Sequence, residues 1–307
     1  MNSKKFLAFT MAAAMTLSLA ACGGGGGSSS NGSASTGDTS GAGSSSTAES
    51  SGNAFKVGAT GPLTGGASIY GLAAYHGAQI AVDEIREAGG DIQFDLRYED
   101  DQNVPETAVN AYNTLKDWGM QISLGSVTTQ PGIATSVYNF EDRIFALTPS
   151  ASSPDVIEGK DNVYQMCFSD PNQGLASAQY ISEQSLGENI YVIWKNDDPY
   201  STGIYNQFVA ESERLGLNIV GNSTFTEDTK NDFTVQLSDA QQKGADLVFL
   251  PMYYEPASLI LTQADSMGYA PKFFGVDGMD GILTVEGFDT SLAEGVMLLT
   301  PFNADAT

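Results

Sequence analysis

From Ala54 to Thr307 the sequence alternates between short apolar runs and stretches of helical periodicity, and no other feature narrows its fold so far. Residues 55–59, 92–98, 122–125 and 144–147 read as strands. Between the first two, Ala78, Ala81, Val82 and Ile85 recur at i, i+3, i+4 and i+7 until Gly89-Gly90 ends the pattern. Pro105 stands where a first helical turn accepts proline, and Ala108, Ala111, Tyr112 and Leu115 form an apolar stripe that Gly119 closes. The second half repeats the rhythm, with strands at 190–194, 217–220, 247–250, 273–276 and 296–300 and helices at 203–215 and 256–267. This is the alternation of βαβ units, so the fold class is α/β, with parallel sheets covered by helices and ligands taken beyond the carboxyl ends of strands. About ten strands is many for one sheet of this size, which predicts two doubly wound lobes. The break is expected at 167–171, where Asp170-Pro171-Asn172 reads as a crossover turn and Met166-Cys167-Phe168 as a buried strand end. The expected lobes are 54–169 and 170–299, and residues 300–307 begin a return to the first.

Upstream of this body the chain carries an address. Lys4 and Lys5 precede an apolar run at 6–19, too short to span a bilayer and flanked like a secretory leader, so residues 1–21 are expected to be removed as a signal peptide. The run closes on Leu19-Ala20-Ala21-Cys22, which resembles the bacterial lipobox. That resemblance implies lipidation of Cys22 and a membrane anchor on the extracytoplasmic face. Residues 22–53 are nearly all Gly, Ser, Thr, Ala and Asn, a flexible tether with a typical span of roughly 30 Å.

Composition removes several partners. With 13 basic against 37 acidic residues the formal net charge is −24, which argues against nucleic acid and against anionic lipid. Cys22 and Cys167 are the two cysteines; if the first is lipidated, the second has no intrachain partner.

The motif runs Phe55-Lys56-Val57-Gly58-Ala59-Thr60-Gly61-Pro62-Leu63-Thr64-Gly65, Gly77-Ala78-Gln79-Ile80-Ala81-Val82-Asp83-Glu84-Ile85, Gly89-Gly90 and Tyr98-Glu99-Asp100-Asp101 resemble, in this order, the leucine/isoleucine/valine-binding protein family of ABC-transporter solute receptors. The resemblance implies the periplasmic binding protein type I fold: two lobes on a hinge that close on a small solute, with a C-terminal portion missing from this sequence. It implies as partners a small-molecule ligand, an amino acid and in particular a branched-chain one, and ABC permease subunits. In Gly125-Ser126-Val127-Thr128 it implies a ligand-carboxylate contact at Ser126. In Thr148-Pro149-Ser150-Ala151-Ser152 it implies carboxylate and ammonium contacts at Ser150 and Ser152. Elementary chemistry agrees, since both segments run from a strand towards a helix start, where unpaired N–H groups and the helix dipole favour an anion. Across the cleft, Asp277 matches the family's acidic partner of the ligand ammonium, which is often Glu. Tyr200, Tyr253 and Tyr70 match aromatics that close over the ligand, with Tyr254 able to fill the same wall as Tyr253.

Enzymatic readings find little purchase. The glycines Gly58, Gly61 and Gly65 do not fit G-x-G-x-x-G, and no phosphate-binding G-x-x-x-x-G-K-[ST] is written. His76 is the single histidine and reads as a surface or packing residue. No catalytic residue, cofactor or metal is therefore expected; Glu99-Asp100-Asp101 reads as a strand-end loop because the Gly and final Glu of a calcium loop are missing. A second reading is a sensory domain of the same fold that binds an amide or small carboxylate and signals instead of delivering it.

Overall fold

The computed structural model describes residues 54–301. The leader, Cys22 and the Gly/Ser stretch therefore lie outside the described residues. The first sheet holds β1 (Ala54–Gly61), β2 (Gln93–Asp100), β3 (Ile122–Leu124), β4 (Phe145–Thr148) and β5 (Val163–Gln165), in the spatial order β2-β1-β3-β4-β5. The second holds β6 (Ile190–Lys195), β7 (Ile219–Phe225), β8 (Leu247–Leu250), β9 (Lys272–Gly275) and β10 (Met297–Leu298), in the order β10-β9-β8-β6-β7. Every neighbouring pair is parallel, with Val57 opposite Leu96 and Ile122, and Val192 opposite Phe249. Counted from its own first strand, each sheet has the arrangement 2-1-3-4-5, so the two-lobed α/β architecture expected from the sequence is the one found.

Helices α1 (Ser68–Ala88), α2 (Pro105–Trp118) and α3 (Thr129–Glu141) serve the first lobe. Helices α4 (Asp170–Glu183), α5 (Pro199–Leu215), α6 (Thr234–Gln242) and α7 (Tyr254–Ser266) serve the second. In α2 proline occupies the first turn, all four residues of the expected stripe are buried, and Gly119 caps the end at φ 93°.

Elsewhere the structure corrects the reading. In α1 only Gly71 and Val82 are buried, while Ala81 and Ile85 face solvent. Asp170-Pro171-Asn172 is no turn but the opening of α4, where proline is tolerated because the first N–H groups have no helical partner anyway. Met166-Cys167-Phe168 lies past the end of β5, and Met166 is exposed. The strand expected at 217–220 starts later and runs to Phe225, and the one expected at 296–300 shrinks to two residues. The segment after β4 enters only a three-residue 3-10 turn, Pro154–Val156, so no helix dipole stands behind Ser150 and Ser152.

In a doubly wound sheet, the crevice opens where the strand order reverses, beyond the strand ends. In the first lobe that point lies between β1 and β3, in the second between β6 and β8. The loops at these two reversals face one another.

Candidate functional site

Two adjoining cavities lie between the lobes and share Tyr253 in their walls. The smaller, about 50 Å³, is lined by Tyr70, Val127, Thr128, Ser150 and Ser152 of the first lobe and by Tyr200, Tyr253, Asp277 and Gly278 of the second. Six of the seven ligand-contact residues expected from the sequence thus meet in one cavity.

Ser126 does not line it. Its hydroxyl is turned into the first lobe, 2.7 Å from the Thr60 hydroxyl, and its carbonyl accepts from Thr148 Oγ1 at 2.7 Å. The loop is drawn inward at Gly125, where φ is +127° and a Cβ would stand 2.3 Å from the Thr60 carbonyl. Only glycine permits that approach. What the turn offers the cavity instead is Thr128, the residue before α3, whose hydroxyl is buried, caps nothing and has no hydrogen-bond partner. A Ser or Thr just ahead of a helix that follows a strand was the available signal, two positions from the residue singled out.

The second lobe presents its acid firmly. Asp277 opens a 3-10 turn after β9, and its Oδ1 accepts from the Tyr200 hydroxyl at 2.5 Å. The same hydroxyl accepts from the Gly278 N–H at 2.9 Å, and the Asp277 N–H donates to Gln173 Oε1 at 3.3 Å. Burial raises the Asp277 pKa, and the Tyr200 and Gln173 hydrogen bonds offset part of that effect. Tyr200 stacks on Tyr253, with ring centres 4.8 Å apart and planes within 10°. Tyr70, from α1 of the first lobe, donates to the Gly278 carbonyl at 2.5 Å and to the Asp280 carbonyl at 2.9 Å, and it packs edge-on to Tyr254. Its tilted contact with Tyr253 completes an aromatic wall that spans both lobes.

Further contacts hold the lobes together. Gln130 Nε2 donates to the Asp197 carbonyl at 2.5 Å, and the Asp170 N–H donates to the Ser152 carbonyl at 3.0 Å. Gly66 approaches Glu255 so closely that a Cβ there would overlap the carboxylate. Beside the seam, Asp170 is fully buried and neither of its carboxylate oxygens has a hydrogen-bond partner. Burial, with Asp277 and Asp198 nearby, pushes it up to about 8. Sequence reading took Asp170 for a turn residue; a carboxylate at a helix start looks the same whether it faces water or a seam.

Two other residues sit away from ligand chemistry. His76 is exposed on α1 beside Tyr75. Cys167 is partly buried, and burial pushes its thiol up to about 12, far from the thiolate that reactive cysteines need. Among the described residues no cluster of His, Cys, Asp or Glu is arranged to hold a metal, and no helix is long and apolar enough to cross a membrane.

Comparison with known proteins matches this geometry. The leucine/isoleucine/valine-binding protein BraC3 of Rhizobium johnstonii is 28% identical over 226 residues, covering 73% of this chain and 61% of the relative. A leucine-, isoleucine-, valine-, threonine- and alanine-binding protein of Pseudomonas aeruginosa is 27% identical over 252 residues, covering 80% and 66%. The chain thus spans about three fifths of the length of BraC3. Among solved structures, the leucine-binding protein LivK of Thermotoga maritima superposes with a TM-score of 0.74 at 26% identity, over 82% of this chain and 72% of that one. The branched-chain amino acid substrate-binding protein LivJ of Streptococcus pneumoniae, solved with isoleucine, gives 0.69 at 27% identity, over 74% and 65%. The resemblance to leucine/isoleucine/valine-binding proteins drawn from the loop motifs is borne out. Residues 54–307 match the profile of the periplasmic binding protein family, and with both lobes in place the chain belongs to that family of solute-binding proteins.

Proposed function

We propose that this chain is an extracytoplasmic receptor that closes its two lobes on the zwitterionic head of an amino acid and delivers it to the permease of an ABC importer. One observation carries the reading: a single cavity is lined by Thr128, Ser150 and Ser152 of the first lobe and, opposite them, by Asp277 of the second. The Thr128 hydroxyl, with backbone N–H groups of the turn at Ser150 and Ser152 and of the first turn of α3, would take the ligand carboxylate. Ser150 Oγ is itself anchored on the Val127 carbonyl at 2.6 Å, which fixes the two turns against each other. Asp277 would take the ammonium through Oδ2, since Oδ1 is held by Tyr200.

Closure is a population shift driven by contacts that a ligand makes with both lobes at once. Tyr70 then works as a latch from α1 to the turn that carries Asp277. The reading assigns no catalytic step and no cofactor. The leader, the lipobox-like sequence ending in Cys22 and the low-complexity stretch after it support a lipid-anchored location. Metabolic labelling with palmitate, lost in Cys22→Ala, is the expected result there.

The ligand reading is tested by calorimetry of the full chain against a panel of amino acids. Asp277→Ala should weaken the binding of whichever amino acid the parent takes by roughly 2–5 kcal/mol, because it strands the ammonium without a counter-charge. An unchanged affinity would remove Asp277 from the site.

A further inference from the structure

We propose that the amino acid taken by this receptor carries a second cation, in a basic side chain that runs past Tyr253 and ends at Asp198. This rests on the reading above, in which the head lies between the serine-rich turns and Asp277.

The cavity that holds the head is small. At about 50 Å³ it takes roughly three to five water molecules, or the five heavy atoms of an amino-acid head, so a side chain must continue outside it. The continuing space is the second cavity, about 270 Å³, which also lies between the lobes and meets the first at Tyr253. In its wall Met252, Phe225 and the Tyr253 ring supply apolar atoms, suited to the methylene stem of a long side chain.

Beyond the stem the cavity turns acidic. Its charged residues are Lys195 and Lys230 against Asp197, Asp198, Glu227 and Glu255. Both lysines are already engaged: each lies 2.7 Å from Glu227, Lys195 is also 3.8 Å from Asp197, and Lys230 is 3.5 Å from Glu255. Asp198 is different. It is 4% exposed and lines the cavity, one oxygen caps α5 by accepting from the Tyr200 N–H at 3.1 Å, and no hydrogen bond or ion pair is made by the other. Lys195 acts on it through the field alone, and burial pushes its pKa up to about 6.

Tyr253 lines both cavities; burial raises the pKa of its hydroxyl first, and Asp198, Asp170 and Asp277 add to the shift. Asp198 lines one cavity and Asp277 the other, while Asp170 is buried and lines neither. One α-ammonium can pair with Asp277, and a distal ammonium or guanidinium would pair with Asp198, giving each acid that lines the cavities a counter-charge. An acidic side chain would meet like charge, and a leucine side chain would leave Asp198 desolvated without a partner.

Calorimetry on the full chain with L-arginine, L-lysine, L-ornithine, L-leucine, L-isoleucine and L-valine decides the matter. At least one basic amino acid should bind tenfold or more tightly than any of the three aliphatic ones. Asp198→Asn keeps the helix cap, since asparagine caps as well as aspartate; it should weaken the basic ligand tenfold or more and change binding of any aliphatic amino acid less than threefold. If leucine, isoleucine or valine binds as tightly as the basic set, the second cation is wrong and the amino-acid reading stands. If Asp198→Asn leaves the basic ligand unaffected, the assignment of Asp198 is wrong. If none of the six binds but another amino acid of the wider panel does, this inference fails and the amino-acid reading stands; if no amino acid binds, both fail.

Discussion

The two lobes share a strand order yet are stabilised very differently. In the second, β8 is buried along its whole length and β6 along its first four residues, and the two faces of the sheet carry clusters of nineteen and eleven buried apolar residues. In the first, β2 has no fully buried residue, and the clusters number four and three. Among the described residues, eleven of the fourteen exposed large hydrophobic side chains precede Asp170. One topology can therefore carry two very unequal cores. What both copies keep is the pair of strand-end reversals, the part that builds the cleft.

The inequality sets the largest expected effects. Phe249, at the centre of β8, stacks on Phe208 with ring centres 4.0 Å apart. Phe249→Ala should cost about 3–5 kcal/mol and lower the melting temperature by roughly 6–20 °C. Leu115 is as deeply buried, but its cluster in the first lobe is a small one. With fewer neighbours locked around the site, Leu115→Ala should fall near the low end of its class, about 2–3 kcal/mol. Scanning calorimetry of both variants compares the lobes directly; an equal loss at the two positions would break the contrast.

A smaller effect distinguishes the lobes by pH. Each buries an aspartate at the edge of the cleft. Asp101 of the first lobe holds the Asn103 N–H at 2.9 Å with one oxygen, and burial pushes it up to about 6. Asp170 of the second is pushed up to about 8 by burial first and then by Asp277, Asp198 and Asp155. A raised carboxyl pKa means that, between the ordinary carboxylate range and the folded value, the folded chain binds more protons than the unfolded one. Stability is then fully present below about pH 4 and declines as pH rises. The decline from Asp101 should be complete near pH 6, and that from Asp170 should continue to about pH 8. Melting temperatures across pH 6–9 should accordingly fall less steeply in Asp170→Asn than in Asp101→Asn, the slope that remains coming from Asp277, whose pKa burial also raises. The same slope in both variants would mean that Asp170 is not the titrating group.

How well each lobe could be read from sequence follows from the same contrast. The β8 run at 247–250 and the α2 stripe were legible because burial there follows the period of the element: an all-apolar strand, and apolar residues at helical spacing closed by a glycine. In α1 the spacing was present and the burial was not, because periodicity reports that a face is apolar and not whether anything packs on it. Asp277 and the tyrosines were found through the family resemblance, since an acid before a glycine carries no ligand signal of its own. Ser126 and Thr128 show the limit most clearly. The motif identified the turn, but which hydroxyl faces the cavity depends on Gly125, whose positive φ draws Ser126 towards Thr60. Asp198 escaped for a similar reason: as a helix cap it looks like any other, until the cavity that it lines is seen.

The smallest effect tests whether the exposed stripe of α1 is a core face at all. Ile80 is 58% exposed and Ile85 37%, while Val82, between them, is 8%. Substitutions at exposed helical sites away from caps and partners change stability by no more than about 0.5 kcal/mol, and lysine forms helix as readily as isoleucine. Ile80→Lys should therefore leave the melting temperature within about 2 °C of the parent, because little apolar area is removed from water there. Val82→Ala, one turn position away and two carbons smaller, removes a buried side chain and should cost more in spite of being the milder change in polarity. Measured together, the pair inverts the ranking that hydrophobicity alone would give. If Ile80→Lys proved the more destabilising of the two, the outer face of α1 would be covered in solution, and the first lobe would be less lightly built than its described residues imply.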